Sequence, residues 1–155
     1  VSEPDDANKA MLDAVTGCAS VALHIRRGDY VSVKKNLRFN GVCSVEYYQA
    51  ALDLLLKKVE HPHAFIFSDD IPWARENLHL NIPTTFVDHN DARRDYEDLR
   101  LLSHCRHHII ANSTFSWWGA WLAAWPGQVV IAPRRWFRSK AYNTKDIVPE
   151  HWLRL

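Results

Sequence analysis

The stretch SVALHIRRGDY (20–30) decides the fold. Ser20 to Ile25 is apolar apart from its first residue and His24, which reads as a strand, and it runs directly into Arg26, Arg27 and Asp29. Strand alternation puts His24 and Arg26 on one face and Ile25 on the other. Gly28 lets the chain turn after the two arginines. A strand that is apolar on both faces belongs in a sheet covered by helices on both sides.

Working outward, short apolar runs alternate with helical patterns. Before the first strand, Ser2 to Thr16 carries Ala7, Ala10, Met11, Ala14 and Val15 on one helical face, with Gly17 as its stop. After it, Val45, Tyr48, Leu52, Leu55, Leu56 and Val59 fall at helical spacing behind the N-cap Ser44. Four further strands are expected at Ala64–Phe67, Thr84–Val87, His108–Ala111 and Val129–Ala132. Further helices are expected from Pro72 to about Leu78, from Asp95 to Cys105, and from Thr114 to Trp125, the last closed by Pro126-Gly127. The tail from Pro133 is mixed, with Trp136, Phe137 and Trp152 as anchors. This alternation predicts an α/β domain with a doubly wound, Rossmann-like parallel sheet. Such sheets bind ligands beyond the carboxyl ends of their strands. Those ends deliver His24, Arg26, Arg27 and Asp29, then Ser68, Asp69 and Asp70, then Asp88, His89 and Asn90, then Asn112, Ser113, Thr114 and Ser116.

Composition narrows the classes. The 155 residues suit one domain, here taken as 1–155, and 47% hydrophobic with 24% charged residues is enough for a packed core. A net charge of +1 argues against whole-surface attraction to nucleic acid or acidic lipid. No apolar run reaches the length of a membrane span, so at most peripheral membrane association is expected. Three widely spaced cysteines, Cys18, Cys43 and Cys105, point away from a disulfide framework and toward a reducing, cytoplasmic compartment. There is no GxGxxG and no Walker loop, which argues against a dinucleotide dehydrogenase or a P-loop NTPase.

Each motif has a plain reading beside a functional one. Two arginines at a strand end suit an anion, since guanidinium forks form charge-assisted bonds to phosphate; the plain alternative is a surface Arg–Asp pair. Asn112-Ser113-Thr114 with Ser116 places hydroxyls and free N–H groups at a helix N-terminus, an anion site by geometry; a simple N-cap explains one hydroxyl. Gly119 and Ala120 would let that helix pack close to a strand. Trp117, Trp118 and Trp121 are expected to be core. Asp69 and Asp70 read either as a metal pair or as caps of the following helix. His104, His107 and His108 beside Cys105 lack zinc-ligand spacing and read as a solvated helix end. Arg134, Arg135, Arg138 and Lys140 form a basic patch around Trp136 and Phe137, either for nucleic acid or as a loop closing over the ligand site.

HIRRGDY (24–30) followed by NSTFSWWGAWL (112–122) resembles the α-1,2-fucosyltransferases of glycosyltransferase family eleven. SVEYYQAAL (44–52), FIFSDD (65–70), DLRLLSHCRHHIIANSTFSWW (98–118) and APRRWF (132–137) support the resemblance, which covers nearly the whole chain after the first helix. It implies a GT-B architecture of two Rossmann-like halves, of which this chain, starting at Val1, is expected to be the donor-binding C-terminal half without the acceptor half. It implies inverting transfer of L-fucose from GDP-β-L-fucose to the 2-hydroxyl of a galactose-terminated glycan, with no metal and no other cofactor. It assigns the β-phosphate to Arg26, the guanine or ribose side to His24, the guanine edge to Asp98 and phosphate to Ser116. Arg27 and Asp29 match by position, and Arg26 and Arg27 are the expected catalytic pair. Asn112, Ser113 and Thr114 complete the expected substrate-binding set. The general base stays unassigned, because Val31–Lys35 holds no acid and Asp29 is expected to hold an arginine. The competing expectations are a non-catalytic GDP-sugar-binding module and a metal-dependent phosphohydrolase built on Asp69, Asp70 and Asp88. A bacterial, cytoplasmic enzyme of surface-glycan synthesis is the expected setting.

Overall fold

The computed structural model describes residues 3–139 and 142–155. The expected helix start at Ser2 and the part of Lys140 in the basic patch lie outside the described residues. The elements run α1 (Asp6–Thr16), β1 (Ala19–Ile25), α2 (Gly28–Ser32), α3 (Lys34–Phe39), α4 (Val45–Leu56), β2 (Pro62–Ser68) and α5 (Ile71–Asn77). They continue as β3 (Thr84–Phe86), α6 (Asp95–His104), β4 (His107–Ile109), α7 (Thr114–Ala123), β5 (Val130–Ala132) and β6 (Leu153–Arg154). The strands form one six-stranded sheet in the order β3-β2-β1-β4-β5-β6, and every neighbouring pair is parallel. The order turns back between β1 and β4, so the crevice of a doubly wound sheet opens beyond Ile25 and Ile109.

Alternation along β1 divides the core. Val21, Leu23 and Ile25 join Ala64, Ile66, Ile109 and Ile131 beneath Tyr48, Leu52 and Leu55 of α4 and Ala74 of α5. Ala22 points the other way, with Phe65 and Phe67 of β2, against Val15 of α1 and Leu101 and Leu102 of α6. A third cluster joins Ala120 of α7 to Ile110, Val130, Ala132, Trp136 and Trp152, so the tail anchors expected from sequence are buried or packed there.

Caps set the helix limits. Asp5 accepts from the Asn8 amide and starts α1 at Asp6, later than expected. Ser44 caps α4 through the Tyr47 amide, as its position suggested, and Asp70 caps α5 through the Trp73 amide. α7 ends at Ala123 and not at Trp125, with Ala124 left-handed, because Pro126 bars the helical conformation from the residue before it. α2 and α3 were not expected from the sequence; neither buries a residue, so no apolar periodicity announces them. The short β6 was also not expected; it lies against β5 in register Ile131↔Leu153.

Gly119 packs against a helix and not a strand: a Cβ there would meet the Leu102 Cβ of α6 at 3.0 Å. Ala120 does lie over the strands. We expect Gly119→Ala to push α6 and α7 apart at a cost of about 1–3 kcal/mol, read as a lower urea midpoint with an unchanged m-value. An unaltered midpoint would show that the contact is slack.

Candidate anion and base site at the sheet switch point

β1 ends beside β2 and β4, and the ends of β1 and β2, the loop before α6 and the starts of α6 and α7 build a cavity of about 340 Å³ there, within the usual range for small-ligand sites. His24, Arg26, Phe67, Asp69, Asp98 and Phe115 are among the residues that line it. Of the expected site residues, His24, Arg26 and Asp98 share this cavity.

Arg26 is held between two carboxylates. Its Nη2 donates to Asp29 Oδ1 at 2.5 Å, and its Nη1 lies 3.1 Å from Asp69 Oδ2. Two of five N–H donors are thus engaged, which fixes the fork and leaves donors for a ligand. Asp29 also accepts from Asn36 Nδ2, so it holds an arginine, as expected. Arg27 is committed differently: its backbone N–H donates to Asp69 Oδ1 at 2.8 Å, its Nε to Asp70 Oδ2 at 3.3 Å, and its guanidinium lies 3.8 Å from the Trp73 ring centroid. Asp69 closes on the turn so tightly that a Cβ on Gly28 would stand 2.5 Å from its Oδ2. Asp69 and Asp70 are therefore taken up by arginines and a helix cap, and Asp88 pairs with Arg75. Among the described residues, no group of three His, Cys, Asp or Glu side chains is placed to hold a metal ion.

His24 is buried, with its ring 5.5 Å from Phe115. Among the described residues its buried Nδ1 has no hydrogen-bond partner. Burial, and then the neighbouring Arg26 charge, lower its pKa to about 3, so the ring is neutral near pH 7. Asp98 stands on the first turn of α6, and burial raises its pKa while hydrogen bonding from Asn90 opposes the rise.

The Asn112–Ser116 segment divides between site and scaffold. Asn112 is buried; its Nδ2 donates to the carbonyls of Asn40 and Trp136, both at 3.0 Å, tying the loop after α3 to the tail. Ser116 is fully buried and its hydroxyl donates to the Ser113 carbonyl, so that hydroxyl faces the fold and not the crevice. Ser113 precedes α7 without a side-chain cap bond, and Thr114 is exposed on its first turn. The Tyr30 hydroxyl donates to the Asn112 carbonyl at 3.3 Å and joins this segment to the arginine turn.

Other expectations are corrected. Trp117 is partly buried and its Nε1 donates to the Ile147 carbonyl, but Trp118 and Trp121 are half exposed, because the small stripe Ser116-Gly119-Ala120 is what α7 turns inward. His108 is not at a solvated end: it is fully buried between the Leu102 carbonyl and Gln128. Arg134, Arg135 and Arg138 line a separate cavity of about 490 Å³ with Asn40, Cys43 and Tyr47. They do not close over the Arg26 cavity. Asn90, among the polar groups expected at the third strand end, lines the cavity, whereas nothing in the sequence pointed to Asn8 or Trp73, which hold Asn90 and Arg27.

The buried histidines set an acid limit. His24 at about 3 and His108 at about 4 both titrate below their ordinary value of 6.5, so the unfolded chain takes up protons that the fold refuses. Stability is then full above pH 6.5 and falls as pH drops toward those values. Each histidine steepens the fall by at most about 1.4 kcal/mol per pH unit. Denaturant titrations at graded pH should show this limb, and His24→Phe should flatten it; an unchanged slope would mean that His24 charges inside the fold.

Residues 8–155 match the family model described as Glycosyl transferase family 11. The chain is 38% identical over 151 residues to an α-1,2-colitosyltransferase of Escherichia coli, covering 95% of this chain and 51% of that protein. It is 38% identical over 138 residues to the O-antigen biosynthesis glycosyltransferase WbnK of Escherichia coli, covering 88% and 44%. It is 33% identical over 104 residues to galactoside α-(1,2)-fucosyltransferase 2 of Bos taurus, covering 66% and 30%. The chain thus spans about half the length, or less, of the curated relatives it matches. Among solved structures, the NodZ α-1,6-fucosyltransferase soaked with GDP-fucose aligns with a TM-score of 0.46 and 16% identity, over 77% of this chain and 43% of that one. By its family match, which spans nearly its full length, this chain belongs to glycosyl transferase family 11.

Proposed function

We propose that this chain is the donor-binding half of an inverting GT-B glycosyltransferase that moves L-fucose from GDP-β-L-fucose to the 2-hydroxyl of a galactoside. The observation that carries the reading is the pairing, across one cavity, of a clamped guanidinium and a half-buried carboxylate. Arg26 would meet the diphosphate with its unengaged donors, and the free amides at the start of α7 would add a second source of positive potential. As the bond from C1 to the phosphate oxygen breaks, the leaving group gains charge, and preorganised donors stabilise it most at that point. In this reading leaving-group stabilisation falls to Arg26 and backbone amides, without a metal, while Arg27 is held on Asp70 and Trp73 beside them. Asp98 would accept from the adjacent N–H donors of the guanine edge, and the neutral His24 would take a ribose or base contact. The acceptor and its base would come from the remainder of the longer protein.

The 38% match to the α-1,2-colitosyltransferase supports one variant of this reading, in which the transferred sugar is colitose. Both donors would use the same nucleotide site. Turnover of GDP-fucose and GDP-colitose in direct competition decides between them.

We expect Arg26→Lys to lower turnover in the full-length enzyme by about 10²–10³-fold, since lysine keeps the charge but loses the fork. Near-normal kinetics would make Arg26 purely structural. Turnover should also survive chelation of divalent ions. For the base, we expect calorimetry to show GDP bound far more tightly than ADP, which would leave the Asp98 carboxylate unpaired. Equal affinities would remove Asp98 from that role.

A further inference from the structure

We propose that Asn90, locked in place by Asn8, is a positioning residue that presents the Asp98 carboxylate to the nucleobase; this rests on the donor reading above. The geometry is a closed network. Asn90 Nδ2 donates to Asp98 Oδ1 at 2.8 Å and to Asn8 Oδ1 at 2.9 Å. Asn8 Nδ2 donates back to Asn90 Oδ1 at 2.9 Å and to Asp5 Oδ1 at 3.0 Å. His89 Nε2 lies 3.0 Å from Asn8 Oδ1 and serves as its second donor. Asn8 is a fully buried amide on a surface helix, a costly placement unless every bond is made, and here every bond is made.

That closure fixes which way Asn90 faces. If its amide flipped, its Nδ2 would confront the Nδ2 of Asn8 and its oxygen would confront the Asp98 carboxylate. The only satisfied arrangement aims an N–H at Asp98 Oδ1. Asp98 therefore cannot swing within the cavity it lines, and its lone pairs are held for a base edge that offers two adjacent N–H groups.

The same bond opposes the effect of burial on ionisation. Burial and the nearby Asp95 and Glu97 push the Asp98 pKa up, whereas the Asn90 hydrogen bond and His89 pull it down. The cavity adds Arg26 and His24 on one side and Asp69, Asp91 and Asp95 on the others, with Arg94 and Asp5 behind Asn90. Glu97 itself is paired with Arg100. Protonated Asp98 loses acceptor capacity, so anything that raises its pKa moves the acid limit of guanine binding to higher pH.

The test is calorimetric titration of the intact chain with GDP and ADP over a pH series, for wild type, Asn90→Ala, Asn90→Asp, His89→Ala and Asp98→Asn. We expect Asn90→Ala to weaken GDP by about tenfold, leave ADP nearly unchanged and move the acid limb of GDP binding upward. Asn90→Asp keeps the shape but replaces the donor with a repelling carboxylate, so it should be worse than alanine; a packing role would tolerate it. His89→Ala, at an exposed position, should shift the limb in the same direction by less. If Asp98→Asn abolishes the GDP preference while the Asn90 variants keep the wild-type affinity ratio and pH limb, the positioning role is overturned and the donor reading stands. If Asp98→Asn leaves the GDP preference intact, the base-reading assignment fails, and the role of Asn90 with it.

Discussion

Two arginines leave β1 side by side, and the need to offset their charge shapes the crevice around them. Arg26 is paired with Asp29 and Asp69 and Arg27 with Asp70, while Asp69 also accepts from the Arg27 backbone N–H. These carboxylates bring in the neighbouring elements. Asp29 lies in the first turn of α2 and accepts from Asn36 of α3, joining two helices with no buried residue of their own. Asp70 caps α5 with one oxygen and meets Arg27 with the other, so the helix that carries Trp73 is seated where Trp73 can lie under that guanidinium. Glycine at 28 is required by the approach of Asp69, not by a left-handed backbone. Pairs of this kind contribute little net stability, because desolvation offsets much of the attraction. Their return is orientation: a guanidinium whose donors point in known directions costs little to reorganise when an anion arrives.

The sheet was legible because its signal is hydrophobic. Runs such as Val21–Ile25 and Ala64–Phe67 bury both faces, so five of the six strands and all the long helices announce themselves within a few residues of their true limits. What stayed hidden is held by polar contacts between distant positions. α2 and α3 depend on Arg26, Asp29 and Asn36, and no periodicity records that. The Asn8–Asn90 pairing spans 82 residues and joins two ordinary polar positions, one of which sits in a helix whose visible pattern is alanine and methionine.

Motif resemblance identified the family, but it did not separate ligand groups from scaffold. Within NSTFSWW, Asn112 spends its amide on carbonyls of the α3 loop and the tail, and Ser116 turns its hydroxyl inward. Both are polar for a structural reason: the backbone carbonyls they satisfy are buried where three segments meet. Thr114, on the first turn of α7, remains at the surface. A string of polar residues at a strand end therefore mixes two populations, and burial with partner geometry is what sorts them.

The two cavities at the carboxyl edge differ in how their charge is arranged. Around Arg26, acid and base alternate: Arg26 with Asp29 and Asp69, Asp98 with Asn90, Arg94 with Asp5. Around Tyr47 and Cys43, the ionisable side chains are the exposed Arg134, Arg135 and Arg138 with the Cys43 thiol, whose pKa burial raises to about 11. The first cavity is pre-set, with Arg26, Asp69, Asp91 and Asp98 already held by partners before any ligand enters. The second is a rim of exposed cations, on segments tied together by Asn112, by the Arg138 amide on the Phe39 carbonyl and by the Phe39–Phe137 ring contact. Selectivity for a base needs the first kind of wall, because a carboxylate can discriminate among N–H patterns only if it cannot turn away from the wrong one. On the donor reading proposed above, recognition of the nucleoside would fall on the α6 side of the switch point, where Asn8, Asn90 and Asp98 are hydrogen-bonded to one another.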